Sequence, residues 1–151
     1  MKRDYPDRPL LGVGAIIVHK EKVLVVRRAN PPLQGDWSIP GGLVETGETT
    51  REAVVREIHE ETGLTVEPVE LIEVFERILR DRDSRVQYHF VAIDYLCRIV
   101  SGESRAGSDV SQIRWARLDE LQILGISSET RHVIQKALDV AHKSTAFRTD
   151  S

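Results

Sequence analysis

The stretch Arg56-Glu57-Ile58-His59-Glu60-Glu61 decides the fold of this chain. It lies within residues 49–63, where both ends of a helix are written into the sequence. Thr49 followed by Glu52 makes a capping box, and Gly63 stands where a left-handed terminating residue belongs. At about 3.6 residues per turn, Glu57 has Glu60 and Glu61 as one-turn neighbours. Like charges at that spacing repel, by a few tenths of a kcal/mol per pair in an isolated helix. On the helical wheel Ala53 and Val54 bracket Glu57 and Glu61, and Ile58 lies just beyond. The two glutamates therefore flank the core-facing stripe, where a carboxylate needs a proton or a cation to neutralise it. Clustered oxygen ligands of this type suit hard ions such as Mg²⁺ or Mn²⁺. His59 sits far from Glu57 on the wheel and reads as a surface residue. Arg56 lies one turn from both Glu52 and Glu60 and can pair with either.

Outward from the helix, residues 12–18 and 23–28 are short and rich in β-branched side chains, and 19–22 form a turn between them. They read as a strand pair. The proline-bearing segment 30–36 cannot be regular structure. Pro40-Gly41-Gly42 places backbone without side chains beside the helix, which lets a carbonyl or a phosphate approach closely. Out of context the same tripeptide is simply a turn. After the helix come two long extended stretches, 69–79 and 85–99, joined by the charged turn 80–84. In the second, both alternating sets are largely apolar, so this strand is expected to be covered on both faces. Residues 112–117 suggest another strand. Ser127 or Ser128 caps a helix whose Val133, Ile134, Ala137, Leu138 and Ala141 form one apolar stripe. The expected fold class is α/β: an α/β/α sandwich with a mixed β-sheet between helices. One domain over residues 1–151 is expected, with loose ends at about 1–9 and 143–151.

Bulk composition narrows the function classes. A net charge of -3 over 151 residues gives no basic footprint for nucleic acid. No apolar run approaches the ~20 residues that span a bilayer, so no membrane partner is expected. Cys97 is the only cysteine, which excludes an internal disulfide. A reducing compartment is its natural setting, and the N-terminal residues lack the apolar core of a signal peptide. The chain is expected to be cytoplasmic.

From Gly42 to Leu64 the sequence resembles the Nudix box. That pattern needs Gly42, five residues, Glu48, seven residues, then Arg56-Glu57-Ile58, one residue, Glu60-Glu61, one residue and Gly63-Leu64. Every specified position is filled. Trp37-Ser38-Ile39-Pro40-Gly41-Gly42 also looks like the family's approach to the box, and residues 115–121 like its late strand and turn. The resemblance implies a Nudix hydrolase that uses one to three Mg²⁺ or Mn²⁺ ions to split a nucleoside diphosphate linked to another group. Glu57, Glu60, Glu61 and the Gly41 carbonyl would then bind metal, beside Gly42, and Arg56 would orient a glutamate. Glu48 would ligate through water or stabilise the helix start. The general base would be a box glutamate or an acid from the loop 102–111, either Glu103 or Asp109, with Asp109 preferred. Arg27 or Arg28, closing the second strand, would meet a phosphate. Trp37 would pack on the sheet in preference to stacking on a base.

Markers that distinguish substrate subgroups fall about 15–18 residues after the box, and here positions 79–82 read Leu, Arg, Asp, Arg. Neither the expected proline nor the tyrosine is present. Length and the Pro-Gly-Gly-Leu-Val-Glu approach still resemble short members that act on ADP-ribose or nucleotide sugars, which makes these the first expectation. The alternatives are a nucleoside triphosphate pyrophosphohydrolase or a non-catalytic nucleotide-binding sensor. The resemblance also admits a homodimer, since short members often pair.

Overall fold

In the computed structural model, residues 3–31, 33–107 and 109–150 are described. The expected strand pair forms as β1 (Leu10–His19) and β2 (Lys22–Arg28). They pair antiparallel at Val18↔Val23 and His19↔Lys22. Lys20 and Glu21 both take positive φ, 50° and 64°, the two-residue turn whose twist matches the flanking strands. Beyond the turn the two strands part and serve different ends of the sheet. β2 pairs antiparallel with β3 (Trp37–Ser38) and β7 (Val110–Ala116). β1 pairs antiparallel with β4 (Gly41–Leu43) and parallel with β6 (Val86–Ser101), and β6 carries the edge strand β5 (Thr65–Arg80). The parallel β1–β6 pair makes the sheet mixed.

Two helices cover it. α1 (Thr50–Thr62) begins at the Thr49–Glu52 capping box and ends on Gly63 at φ 77°. Its Ala53, Val54 and Ile58 pack with Val13, Ile17 and Leu24 on one side of the sheet. α2 (Ser128–Lys143) is capped by Ser127, whose Oγ accepts from the Thr130 N–H at 3.2 Å. Val133, Ile134, Ala137, Leu138 and Ala141 face the opposite side, against Ile16, Val25 and Leu96. The expected sandwich is therefore observed. Neither helix, among the described residues, is long and apolar enough to cross a membrane.

One expectation needs correcting. The strand expected to be covered on both faces is so only from Asp94 to Cys97, and the rest of β6 is at most half-buried. On its partner, Leu71, Val74 and Ile78 are 49%, 50% and 46% exposed. The reason is length. The β5–β6 hairpin strands each have 16 residues, ~53 Å of extended chain, whereas the 16-residue α2 spans only ~24 Å. Parts of both ends make contacts with the rest of the fold. Phe147 is buried against α2 in a 3₁₀ segment, Thr145–Asp150. At the other end the Tyr5 hydroxyl donates to Asp81 at 2.7 Å, and the Arg85 guanidinium lies 4.6 Å from the Tyr5 ring.

Candidate active site

Packing of the α1 stripe fixes where its glutamates point. Glu61 is buried at 7% exposure and Glu57 is half-buried. They rest against β4, where the paired glycines bring the backbone close to both carboxyls. The Gly41 N–H donates to Glu61 Oε1 at 2.9 Å. A Cβ on Gly42 would collide with the Glu57 carboxyl, so the strand can lie against that carboxylate only with glycine there. Burial pushes Glu61 up to about 8, with the neighbouring Glu57 charge adding to it. Burial also raises Glu57, against the hydrogen bond and charge of Arg56. Burial thus opposes the ionisation of both acids, and a positive charge beside them would offset it.

Arg56 ties the rest of the box together. Its Nε and Nη2 grip the two oxygens of Glu48, at 2.9 and 2.6 Å, in a bidentate pair. Nη1 donates to Glu57 Oε1 at 2.9 Å and to Glu60 Oε2 at 3.3 Å, and Nη2 donates to the Leu43 carbonyl at 3.0 Å. Hydrogen bonds from Arg56, and then from the Glu45 N–H, hold Glu48 down at about 2. Glu48 in turn is the main reason Arg56 holds its proton more tightly than usual. The alternative partner Glu52 is instead engaged in the capping box. Glu45 and the Leu43 carbonyl escape the sequence reading. A backbone carbonyl carries no side-chain signal, and Glu45 lies at an unspecified position of the box.

The remaining candidates divide. Glu60 is 54% exposed in its side chain and turned towards Arg56, and His59 is exposed as expected. Among the described residues no three acidic, histidine or cysteine side chains already converge as a ready-made metal cage. The loop after β6 wraps the last turn of α1, with the Gly107 N–H donating to the Glu61 carbonyl and the Arg105 N–H to Thr62, both at 2.7 Å. That loop brings Asp109 into the field of the site, where its charge raises both Glu57 and Glu61. Asp109 Oδ1 accepts from Asn30 at 3.2 Å. Glu103 is exposed, its backbone lying against Gly63 at the far end of the helix. Of the arginine pair, Arg27 is occupied by the Gly35 carbonyl at 2.9 Å and by Gln112 at 3.3 Å. Arg28 is the one near the acids: burial lowers its affinity for a proton, while Glu61, Asp109 and Asp36 counteract this. Trp37 packs, half-buried, against the core on the α2 side.

A buried carboxylate pair on glycine backbone, backed by a clamped arginine, is a local arrangement independent of any comparison. The NUDIX domain model matches residues 8–137. The chain belongs to the Nudix family. Over 121 residues it is 39% identical to the ADP-ribose pyrophosphatase of Methanocaldococcus jannaschii, covering 80% of this chain and 69% of that one. Its fold matches the MutT NUDIX hydrolase from Burkholderia pseudomallei at a TM-score of 0.75 and 32% identity, over 86% of this chain and 98% of the other. An ADP-ribose pyrophosphatase from Streptococcus suis matches at a TM-score of 0.68 and 26% identity, over 93% and 97% of the two chains. This Nudix hydrolase is thus similar both to proteins named for ADP-ribose and to one named only by family.

Proposed function

We propose that this Nudix hydrolase splits the phosphoanhydride bridge of ADP-ribose or a nucleotide sugar, with Mg²⁺ or Mn²⁺ held by Glu57, Glu61 and the Gly41 carbonyl. The observation that carries the reading is the Glu57–Glu61 pair, two neighbouring carboxylates whose ionisation burial opposes. A hard divalent ion fits this donor set, since it is all oxygen and the only cysteine, Cys97, is buried in the core. Glu60 joins the set if its 3.3 Å contact with Arg56 gives way. When bound, such an ion screens the phosphate charge, lowers the pKa of a bound water and stabilises the leaving phosphate.

The chain's own groups supply the rest. Arg56 positions Glu57 by holding one carboxylate oxygen, which leaves the other directed away from the guanidinium. Arg28, close in charge terms to Glu61 and Asp109, faces the anionic bridge. Asp109 accepts the proton of the attacking water, whose oxygen bonds to phosphorus as the bridging P–O bond breaks. With ADP-ribose the products are AMP and ribose 5-phosphate, and two protons are released to solvent as both phosphomonoesters ionise to dianions. Resemblance to ADP-ribose pyrophosphatases supports the substrate class. The test is product analysis over ADP-ribose, nucleotide sugars, dinucleoside polyphosphates and nucleoside triphosphates, each with Mg²⁺, Mn²⁺ or chelator. Metal-dependent AMP release from ADP-ribose is expected. Cleavage confined to triphosphates would replace the substrate, and tight nucleotide binding without any product would make the protein a sensor.

A further inference from the structure

Asp94 is a buried acid that the proposed chemistry leaves unused. It lies in the middle of β6 and is 3% exposed. In the parallel pair with β1 it sits opposite Gly14, and on the other side it is paired with Glu73 of β5. One of its oxygens, together with Ile39 Cδ1, occupies the place a Gly14 Cβ would take. Its carboxyl has no hydrogen-bonded or ion-paired partner among the described residues, and the one charge acting on it, Glu73, is of like sign. Every side-chain polar atom fully sealed from solvent among those residues does have a partner. The Asp94 oxygens are therefore not sealed, and they keep a narrow opening.

The opening faces a defined place. Leu96, two residues along β6 on the same side, is fully buried under α2. Ala92 and Phe90, on that side in the other direction, are only half-buried. Cover by α2 ends at Asp94. Beyond it the small residues Gly12 and Ala92 are paired neighbours, and the Gly42 carbonyl and the Leu43 side chain lie beside Gly12. Phe90 and Ile39 rise at the margins of the opening. Gly14 is also paired with Gly41, so the Asp94 carboxyl lies roughly one strand spacing (~5 Å) from the strand that holds Glu61.

A carboxyl in this place weakens the fold. Burying an unpaired acid costs free energy that a leucine or valine would avoid. Its presence is explained if it binds something. We propose that Asp94 is a substrate-recognition residue, its carboxyl hydrogen-bonding an N–H or O–H donor on the organic group attached to the diphosphate. This rests on the hydrolase reading above and goes beyond it by naming a residue that selects the substrate. The donor belongs either to the nucleobase or to a sugar hydroxyl, both of which offer the same neutral hydrogen-bond chemistry.

The experiment compares wild type, Asp94→Asn and Asp94→Leu on ADP-ribose, its inosine analogue lacking the exocyclic amino group, and its 2′-deoxy analogue. Thermal unfolding of each variant checks the fold. In Asp94→Leu, KM for ADP-ribose is expected to rise by ~10–100-fold, with kcat within ~3-fold and thermal stability equal or higher. Asp94→Asn keeps an acceptor oxygen and recovers most of the loss. Wild type discriminates against one analogue, and Asp94→Leu loses that discrimination. The arm in which it is lost identifies the donor as base or sugar. Unchanged KM and unchanged discrimination in both variants would overturn this proposal while leaving the hydrolase intact. Wild type that neither cleaves nor binds ADP-ribose would instead defeat the hydrolase reading, and this proposal with it.

Discussion

Replacing Asp94 with asparagine gives a stability gain whose size depends on pH. Burial, and secondarily the charge of Glu73, push the Asp94 carboxyl from 3.8 up to about 7. Glu73 itself has a distal counter-ion, Lys136, at 3.4 Å. Below 3.8 the acid is neutral in both folded and unfolded chains, and the full stability is present. As pH rises towards 7 the unfolded chain releases this proton while the folded protein keeps it, so stability falls. Above about 7 the folded acid ionises too, and the loss levels off. One pKa step corresponds to ~1.36 kcal/mol, so the gap between 3.8 and about 7 caps the loss at ~4 kcal/mol. Partial access of water to the carboxyl reduces it, and ~2 kcal/mol is the working figure. For a domain of this size that is ~4–8 °C in Tm. Asp94→Asn is nearly isosteric and does not titrate. Its Tm should exceed that of wild type by this margin at pH 8, and by clearly less at pH 4.5, in thermal scans followed by circular dichroism with chelator present. A variant less stable than wild type at pH 8, or a difference that does not change with pH, would refute the reasoning.

Arg56→Lys keeps the charge but loses the bidentate grip on Glu48, and turnover should fall ~10–100-fold in steady-state assays while the fold is retained. Gly42→Ala drives a methyl group into the Glu57 carboxyl. Displacing that carboxylate should lower kcat/KM by ~100-fold and raise the metal concentration needed for half activity. Lys20→Gly relieves a lysine held at φ 50°. Urea unfolding should show a gain of up to ~1 kcal/mol with activity unchanged.

Much of the site could be read from the sequence because its parts are local. The helix, both its caps and the inward tilt of Glu57 and Glu61 follow from side chains within one or two turns of each other. The strand pair and the α2 stripe are legible for the same reason, since alternation and helical spacing report burial directly. What could not be read depends on distant segments meeting. Arg28 and not Arg27 lies in the field of Glu61 and Asp109, while Gly35 and Gln112 hold Arg27. Asp109 is preferred over Glu103 already in the sequence, and the structure adds the reason: the loop wraps the helix end through Arg105 and Gly107 and brings Asp109 into the field of both acids. Asp94 lies within an apolar run, and only the pairing of β6 with its two neighbours shows that it sits between Gly14 and Glu73. The over-length of the β5–β6 hairpin was hidden likewise, since alternation says which residues share a face but not how far a helix extends over it.

The central claim, that Glu57 and Glu61 serve a metal-dependent cleavage, is tested most directly by initial rates of ADP-ribose hydrolysis. The comparison is wild type with Mg²⁺, wild type with chelator, and Glu57→Gln with Mg²⁺, each with its fold checked by circular dichroism. The rate should fall by ~10³-fold or more in both the chelated and the substituted samples while the spectra superimpose. Full turnover in chelator, or in a folded Glu57→Gln protein, would contradict it.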